Sequence, residues 1–145
     1  MKSVFATRIN PSQIHLALLL LRIVVACTML FHGLPKLEKL LNGNFAFRDP
    51  IGIGSGPSLV LAVFAEVGCS VLILVGLGTR LATIPLIITM LVAGFIAHAD
   101  DPITKKDLIL LYLLIYSVLL LLGSGKYSID HMLSKRNTLQ AASPG

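Results

Sequence analysis

Long apolar stretches separated by short polar segments dominate this chain. The apolar stretches cover residues 13–34, 57–77, 80–99 and 103–122, and each is close to the ~20 residues that a helix needs to cross a bilayer core. Inside lipid every backbone N–H and C=O must be paired, which restricts spanning segments to helices or a closed barrel. Continuous apolar stretches lack the alternation of barrel strands. The pattern therefore predicts an all-α fold, a transmembrane four-helix bundle.

Helix-capping and helix-breaking residues mark the ends of the predicted helices. Asn10-Pro11-Ser12 precedes the first helix, and a glycine-rich loop that ends at Pro57 precedes the second. Asp101-Pro102 is typical of a helix start, and Gly123-Ser124-Gly125 is typical of a helix end. We therefore expect one membrane domain over residues 1–145, with a polar C-terminal tail at residues 126–145 whose last residues are disordered.

Composition and charge agree with a membrane location. The chain is 55% hydrophobic and 13% charged, with a net charge of +5 and a mean hydropathy of +0.86. Its basic ends suit anionic lipid headgroups, and the aromatic-basic interleaving of nucleic-acid surfaces is absent, so the expected partner is the bilayer and not nucleic acid. Basic residues divide almost evenly between the two sides. A cytoplasmic location of both termini therefore rests on terminal residues such as Lys2 and Arg8.

Arg22 and Glu66 lie inside apolar stretches. A charge near the bilayer centre costs at least roughly 2.5 kcal/mol on insertion scales, so such residues usually face a bundle interior, find a partner and mark a functional site. Counted from the side opposite the termini, Arg22 lies twelve residues below Leu34 and Glu66 nine residues below Pro57. At ~1.5 Å per residue the depths differ by only ~4.5 Å. The count predicts that the two side chains pair.

Further polar residues are expected at the depth of this predicted pair or nearer the surface opposite the termini. Tyr112 and Tyr116 share one face of the fourth helix, because they are four residues apart. The two histidines and Lys36 are expected near the surface opposite the termini, together with two carboxylates that precede the fourth helix. The predicted ligand-binding pocket comprises Arg22, His32, Lys36, Glu66, His98, Asp100, Asp101, Tyr112 and Tyr116.

Each of these residues also has a structural interpretation. An Arg–Glu pair can simply neutralise two charges and fix the register of the helices. Histidine at a membrane surface needs no ligand, and the two tyrosines are equally suited to packing. Suitable metal donors are present without a diagnostic spacing, so no metal site is predicted. Cys27 and Cys69 are interpreted as packing residues, because their counted depths differ by ~7.5 Å and no Cys-x-x-Cys occurs.

Seven short motifs occur together along nearly the whole chain. They are Leu21-Arg22, Phe31-His32-Gly33-Leu34-Pro35-Lys36-Leu37, Asp49-Pro50-Ile51-Gly52, Phe64-Ala65-Glu66-Val67, Gly76-Leu77-Gly78-Thr79-Arg80, His98-Ala99-Asp100-Asp101-Pro102 and Gly125-Lys126-Tyr127-Ser128. With these motifs the sequence resembles the DoxX family of small four-helix membrane proteins. The resemblance implies a four-helix bundle in the bacterial inner membrane.

The resemblance also implies a connection with redox processes. Members of that family are associated with thiosulfate:quinone oxidoreductase in sulfur-oxidising organisms, and others with membrane complexes for oxidative or thiol stress. The family signature extends to Arg22, His32, Gly33, Lys36, Glu66 and Arg80, without a catalytic role for each. This chain has no nucleotide-binding glycine loop, haem-attachment motif or iron–sulfur spacing. Any electron carrier would then be diffusible, such as a quinone, or held by a partner.

Three functions from different classes remain open at this point. In the leading hypothesis the chain is a subunit or accessory of a membrane redox system, with a polar pocket for a quinone headgroup or similar small polar ligand. Arg22 and Glu66 would orient that ligand, His32 or His98 would relay protons, and the tyrosines would donate hydrogen bonds. The alternative is a non-catalytic assembly or scaffold protein within a membrane redox complex or a homo-oligomer. The third is a small solute or proton conduit, which would need an oligomer.

Overall fold

The computed structural model describes residues 10–141 and contains five helices and no strand within that range. Three helices are long and apolar enough to cross a membrane, and a fourth is apolar but shorter. The predicted all-α fold is confirmed. Lys2 and Arg8, on which the predicted orientation depends, lie outside the described residues, as do residues 142–145 of the predicted tail. The helices are α1 (Pro11–Leu41), α2 (Ser55–Val75), α3 (Thr79–Ala97), α4 (Asp107–Leu122) and α5 (Ile129–Ala141).

Helix α1 is longer than its apolar pattern predicts. It begins after Asn10, whose side-chain oxygen accepts a hydrogen bond from the backbone N–H of Ser12. It then continues through Pro35 and ends at Leu41, whereas the predicted end is Leu34. Proline in a helix interior lacks the N–H for one backbone bond, yet membrane helices tolerate it. The seven extra residues add ~10 Å to the helix.

Helices α2 and α3 each contain a π-helical segment. In α2 the segment is Phe64–Cys69, which includes Glu66, and in α3 it is Ala93–Ala97 at the end of the helix. Such segments shift the rotational register of the residues around them and are frequent at functional sites. The direction in which Glu66 points is therefore not the one that a regular helix would give.

The region around α4 and α5 also differs from the sequence pattern. Helix α4 begins at Asp107 and not at residue 103, and Ile103–Lys105 form a single 3₁₀ turn ahead of it. Asp101 does not cap this helix, because the helix begins six residues later, and its carboxylate bonds to His98. Helix α5 lies within the segment that the sequence indicates as a polar tail.

The helices pack around a core that is tight at one end of the bundle and open at the other. Helix α1 contacts α2 along its length, whereas α3 packs mainly against residues 64–75 of α2 and against α4. The outer surface is apolar, as lipid contact requires. Because α3 contacts mainly the second half of α2, these two helices separate toward the loop between α1 and α2. The most deeply buried apolar side chains are Val25, Met29, Leu59, Ile73, Leu86, Tyr116 and Leu119.

Candidate functional site

Lys36 and Glu66 form an ion pair between α1 and α2. The Lys36 ammonium donates to both carboxylate oxygens of Glu66, at 2.5 Å and 2.6 Å. The Glu66 side chain is 4% exposed and the Lys36 side chain 29%. Hydrogen bonds between two charged groups are stronger than neutral ones, and low polarity around the carboxylate strengthens them further. The pair thus holds a buried negative charge against a positive charge that still reaches open space.

Gly33 allows α1 and α2 to approach closely enough for this pair to form. A Cβ atom at position 33 would lie 2.8 Å from Cγ2 of Val67 and 3.0 Å from Cβ of Glu66. Lys36 follows Gly33 by three residues and therefore lies on the same side of α1, about one turn along. The motif that contains both residues is explained by this contact.

A cleft of about 470 Å³ begins at the ion pair. Its walls are residues 58–66 of α2, residues 88–97 of α3 and His98 directly after α3, and residues 47–51 of the first loop cover one side. The walls are mostly apolar, and the charged residues among them are Lys36, Glu66 and Arg48. Leu61 and Ile88 line the cleft and are 52% and 55% exposed. The cleft is therefore open between the two helices, on the side that would face lipid.

The first loop is held across the cleft by two residues. Arg48 donates a hydrogen bond to the backbone carbonyl of Ala97 on α3. Asp49 accepts hydrogen bonds from the backbone N–H groups of Ile53 and Gly54 and from the hydroxyl of Ser58 on α2. The Ser58 hydroxyl, and then the N–H of Gly54, hold the pKa of the Asp49 carboxyl below its usual value. Together these contacts connect the loop to both helices that border the cleft.

Arg22 binds backbone carbonyls at the other end of the bundle. Its guanidinium group donates to the carbonyls of Ile73 and Leu74 at the end of α2, at 2.9 Å and 3.0 Å. It also donates to the carbonyls of Ser124 and Tyr127 after α4, both at 2.8 Å. The residue is 1% exposed. Four neutral acceptors therefore satisfy a buried cation and tie three parts of the chain together.

The predicted pair between Arg22 and Glu66 is wrong. Glu66 pairs with Lys36, and within residues 10–141 Arg22 bonds only to the carbonyls just described. The depth count places the end of α1 at Leu34, but the helix continues to Leu41. Arg22 therefore lies ~10 Å farther from that end than the count assumes.

The residues that precede α4 form a small surface cluster beside the cleft. His98 lines the cleft, and its Nδ1 atom lies 2.7 Å from a carboxylate oxygen of Asp101. This hydrogen bond, more than the charge of Lys105, lowers the pKa of the Asp101 carboxyl. Asp100 is exposed and does not line the cleft.

The remaining predicted site residues lie on α1 and α4, away from the cleft walls. The ring of His32 packs with its edge toward Tyr112, and the ring of Tyr112 stacks on Tyr116. Both tyrosines are buried in the bundle core. Of the nine predicted residues, the structure brings Lys36, Glu66 and His98 together at the cleft.

Sequence reasoning missed two residues of the first loop. Phe47 and Arg48 line the cleft, and the Lys36 ammonium lies 5.7 Å from the centre of the Phe47 ring. The position of Arg48 directly before Asp49-Pro50 was the available signal in the sequence. Counting residues along a helix assigns no depth to a loop residue, so this signal could not be used. Within residues 10–141 no three His, Cys, Asp or Glu side chains are grouped as a metal site would need. Cys27 is exposed and Cys69 buried, and both are free thiols.

Comparison with known proteins gives a consistent result. The sequence model of the DoxX family matches residues 17–99. An uncharacterized protein of Haemophilus influenzae is 32% identical over 127 residues, which cover 80% of this chain and 90% of that protein. An uncharacterized membrane protein of Mycobacterium tuberculosis is 33% identical over 142 residues, covering 81% of this chain and 82% of the relative. No solved structure matches the chain.

Proposed function

Since this chain belongs to the DoxX family of membrane proteins, we propose that it is a membrane subunit or accessory of a redox system and that its cleft binds a quinone. The observation that carries the proposal is the position of the Lys36–Glu66 pair at the inner end of a mostly apolar cleft. An apolar wall suits a ring and its tail, whereas the ion pair suits a polar headgroup. A volume of about 470 Å³ lies within the usual range of small-molecule sites.

The charged groups at the cleft have distinct roles in this proposal. Lys36 donates a hydrogen bond to a carbonyl oxygen of the quinone, since an ammonium has three donors and Glu66 needs only part of them. Glu66 holds that ammonium at the inner end of the cleft. His98 lies at the edge, next to Asp101, where an imidazole can pass protons between the cleft and water. The opening between α2 and α3 admits the ligand from the lipid.

The redox role depends on a partner in this proposal. The sequence has no motif for a nucleotide, haem or iron–sulfur cluster. The electron carrier is then the diffusible quinone itself or a group held by a partner protein. The relatives come from bacteria, which favours the inner membrane. We propose that both termini are cytoplasmic, and reporter fusions at each terminus test this orientation.

Binding of a short-chain ubiquinone to the purified protein in nanodiscs tests the proposal. Lys36→Met and Glu66→Gln should each weaken binding by about 10- to 100-fold, as expected for loss of a charge-assisted hydrogen bond. Lys39→Met and Glu38→Gln are matched controls, because both residues are exposed on the same helix and do not line the cleft. Equal affinity of all five proteins, or binding that saturates in none of them, would refute the quinone site.

A scaffold role is the second candidate function, and Arg22 is the residue that favours it. Its four hydrogen bonds to backbone carbonyls stabilise the bundle and are directed at no ligand. Under this alternative the Lys36–Glu66 pair also serves only to hold α1 against α2. Replacement of the pair by apolar residues would then leave assembly with a partner intact.

A further inference from the structure

Helix α5 is anchored to the bundle by its first turn, and the rest of the helix is open to its surroundings. The carboxylate of Asp130 accepts hydrogen bonds from the backbone N–H groups of Gly78 and Thr79. The backbone N–H of Asp130 donates to the carbonyl of Gly76 at 3.0 Å. Residues 131–138 are all exposed. The first turn therefore fixes α5 where α2 ends and α3 begins, while the following turns can contact something outside the bundle.

This end of the bundle lies at a membrane surface, because the apolar helices terminate there. Helix α2 ends at Val75, α3 begins at Thr79 and α4 ends at Leu122. Residues 123–128 alone connect α4 to α5, and Arg22 holds two carbonyls of this connection against the end of α2. Helix α5 therefore begins at the level of the lipid headgroups.

The side chains of α5 are distributed as in helices that lie on a bilayer. Ile129, Met132 and Leu133 share one face, because they are three and four residues apart, and they are 37%, 69% and 47% exposed. Arg136 continues this face, and Lys135 flanks it. Long basic side chains can lay their stems along lipid and place their charges among phosphates. Since the helix begins at a membrane surface, the nearest apolar environment for this face is lipid.

A cleft of about 340 Å³ lies between the start of α5 and the lipid-facing ends of α3 and α4. Leu81 and Leu122 line it and are 74% and 55% exposed, so an acyl chain against them would continue the outer apolar surface. Arg80 lines the same cleft and donates to the Leu121 carbonyl at 3.1 Å. A guanidinium carries more N–H donors than this one bond uses. The cleft thus combines an apolar wall for a lipid chain with donors for a phosphate.

The acidic residue in the cleft is already engaged. Asp130 lines the cleft, and each of its carboxylate oxygens accepts a backbone N–H at the start of α3, where the helix dipole is positive. Within residues 10–141 Arg80 forms no ion pair. We propose that α5 lies in the headgroup layer and that this cleft binds the phosphate of an anionic phospholipid, with Arg80 as its main contact. Lys135 and Arg136 attract further anionic lipids to the same leaflet.

Tryptophan fluorescence tests the position of α5, because the chain contains no tryptophan. Met132→Trp places a reporter on the apolar face, and Ser134→Trp places one on the opposite side as a control. Each full-length variant is reconstituted in vesicles of phosphatidylcholine and phosphatidylglycerol that are brominated near the glycerol end of one acyl chain. Bromine should remove most of the Met132→Trp emission and little of the Ser134→Trp emission.

Two results of this experiment would overturn the position of α5. Equal quenching of the two variants would show that the apolar face does not select lipid. Blue-shifted emission of Met132→Trp that bromine does not quench would assign this face to a second protein chain.

The lipid preference of the detergent-solubilised protein tests the cleft separately. Native mass spectrometry should show that the wild type retains phosphatidylglycerol in preference to phosphatidylcholine. Arg80→Gln should reduce this preference about five-fold, as expected for loss of one basic residue near the headgroups. Arg80→Lys should retain most of it, and Lys39→Gln, an exposed position on α1 outside this cleft, should leave it unchanged.

The same measurement separates a lipid phosphate from free phosphate. Added inorganic phosphate should leave the preference unchanged, because it cannot contact Leu81 and Leu122 through an acyl chain. Loss of the preference with phosphate would assign the cleft to the free anion and overturn the lipid site. An equal preference in the wild type and Arg80→Gln would also overturn it.

Discussion

The Nζ atom of Lys36 lies 2.5 Å and 2.6 Å from the two carboxylate oxygens of Glu66, across the contact between α1 and α2. One ammonium group thus joins two helices and also faces a cleft of about 470 Å³. A structural role and a binding role therefore fall on the same two side chains. Experiments have to separate loss of stability from loss of binding.

Replacing the whole pair separates these two roles. Lys36→Met with Glu66→Leu should leave the melting temperature within a few degrees of the wild type, because apolar residues can often substitute for a buried ion pair. The same double variant should lose quinone binding. Thermal unfolding and binding are measured on one preparation in nanodiscs. A double variant that still bound quinone with wild-type affinity would assign the pair to stability alone.

The four hydrogen bonds from Arg22 to backbone carbonyls should contribute strongly to stability. Arg22→Lys retains the charge but not the planar fork that reaches four carbonyls, so it should destabilise the protein by about 2–4 kcal/mol. Arg80→Lys is the matched control, because Arg80 is exposed and bonds to a single carbonyl, that of Leu121. Thermal unfolding in detergent measures both variants. Equal melting temperatures for the two variants would show that the four hydrogen bonds of Arg22 do not stabilise the protein.

Two glycines on facing helices should differ in how far an added methyl group destabilises the protein. Gly33→Ala would bring a Cβ atom within 3.1 Å of the Glu66 backbone, so α1 must move away from α2, at a cost of about 1–3 kcal/mol. Gly68→Ala meets only the Phe64 ring, at 3.8 Å, and should be tolerated. Comparison of their melting temperatures tests the close approach. Similar effects of the two substitutions would mean that the contact at Gly33 can relax freely.

Asp49 should make the start of α2 sensitive to acid. Hydrogen bonds from Ser58 and Gly54 lower the pKa of its carboxyl in the folded protein. Stability from a lowered pKa is fully present above the usual aspartate value and is lost as the pH falls through the lowered one. Melting curves of the wild type should therefore fall in that acidic range by more than those of Asp49→Asn. Parallel curves for the two proteins would show that the carboxylate does not support the loop.

Asp130 should control the attachment of α5 to the bundle. Its carboxylate accepts hydrogen bonds from the backbone N–H groups of Gly78, at 2.8 Å, and Thr79, at 3.3 Å, at the start of α3. Asp130→Ala removes this cap, which is typically worth about 1 kcal/mol. Amide exchange in α5 should become faster, whereas Asp107→Ala should leave it unchanged. Unaltered exchange in Asp130→Ala would show that other contacts hold α5.

The sequence predicts the membrane helices and the position of Glu66 inside the bundle, but not the partner of Glu66. Pro35 suggests the end of a helix, and a count that stops at Leu34 puts Arg22 at the depth of Glu66. Membrane helices tolerate proline, and α1 in fact reaches Leu41. The rotation of Glu66 within a π-helical segment is also invisible to periodicity, because regular spacing assumes a regular helix.

The tyrosines and the loop illustrate a second limit of sequence reasoning. Tyr112 and Tyr116 do share a face, as their spacing predicts, and their rings stack. Whether that face meets the cleft or the core depends on how α4 packs, which spacing does not encode. Arg48 reaches α3 because of the conformation of the first loop, which the periodicity of apolar residues does not predict.

Photo-crosslinking with an azido-ubiquinone in nanodiscs, followed by peptide mass spectrometry, tests the quinone site most directly. Labels should appear in residues 47–51, 58–66 and 88–98, which line the cleft. Excess unmodified ubiquinone should suppress them, and Lys36→Met should reduce them while Lys39→Met does not. Labels spread evenly over the outer apolar faces, insensitive to competitor and to Lys36→Met, would contradict a quinone site at the cleft.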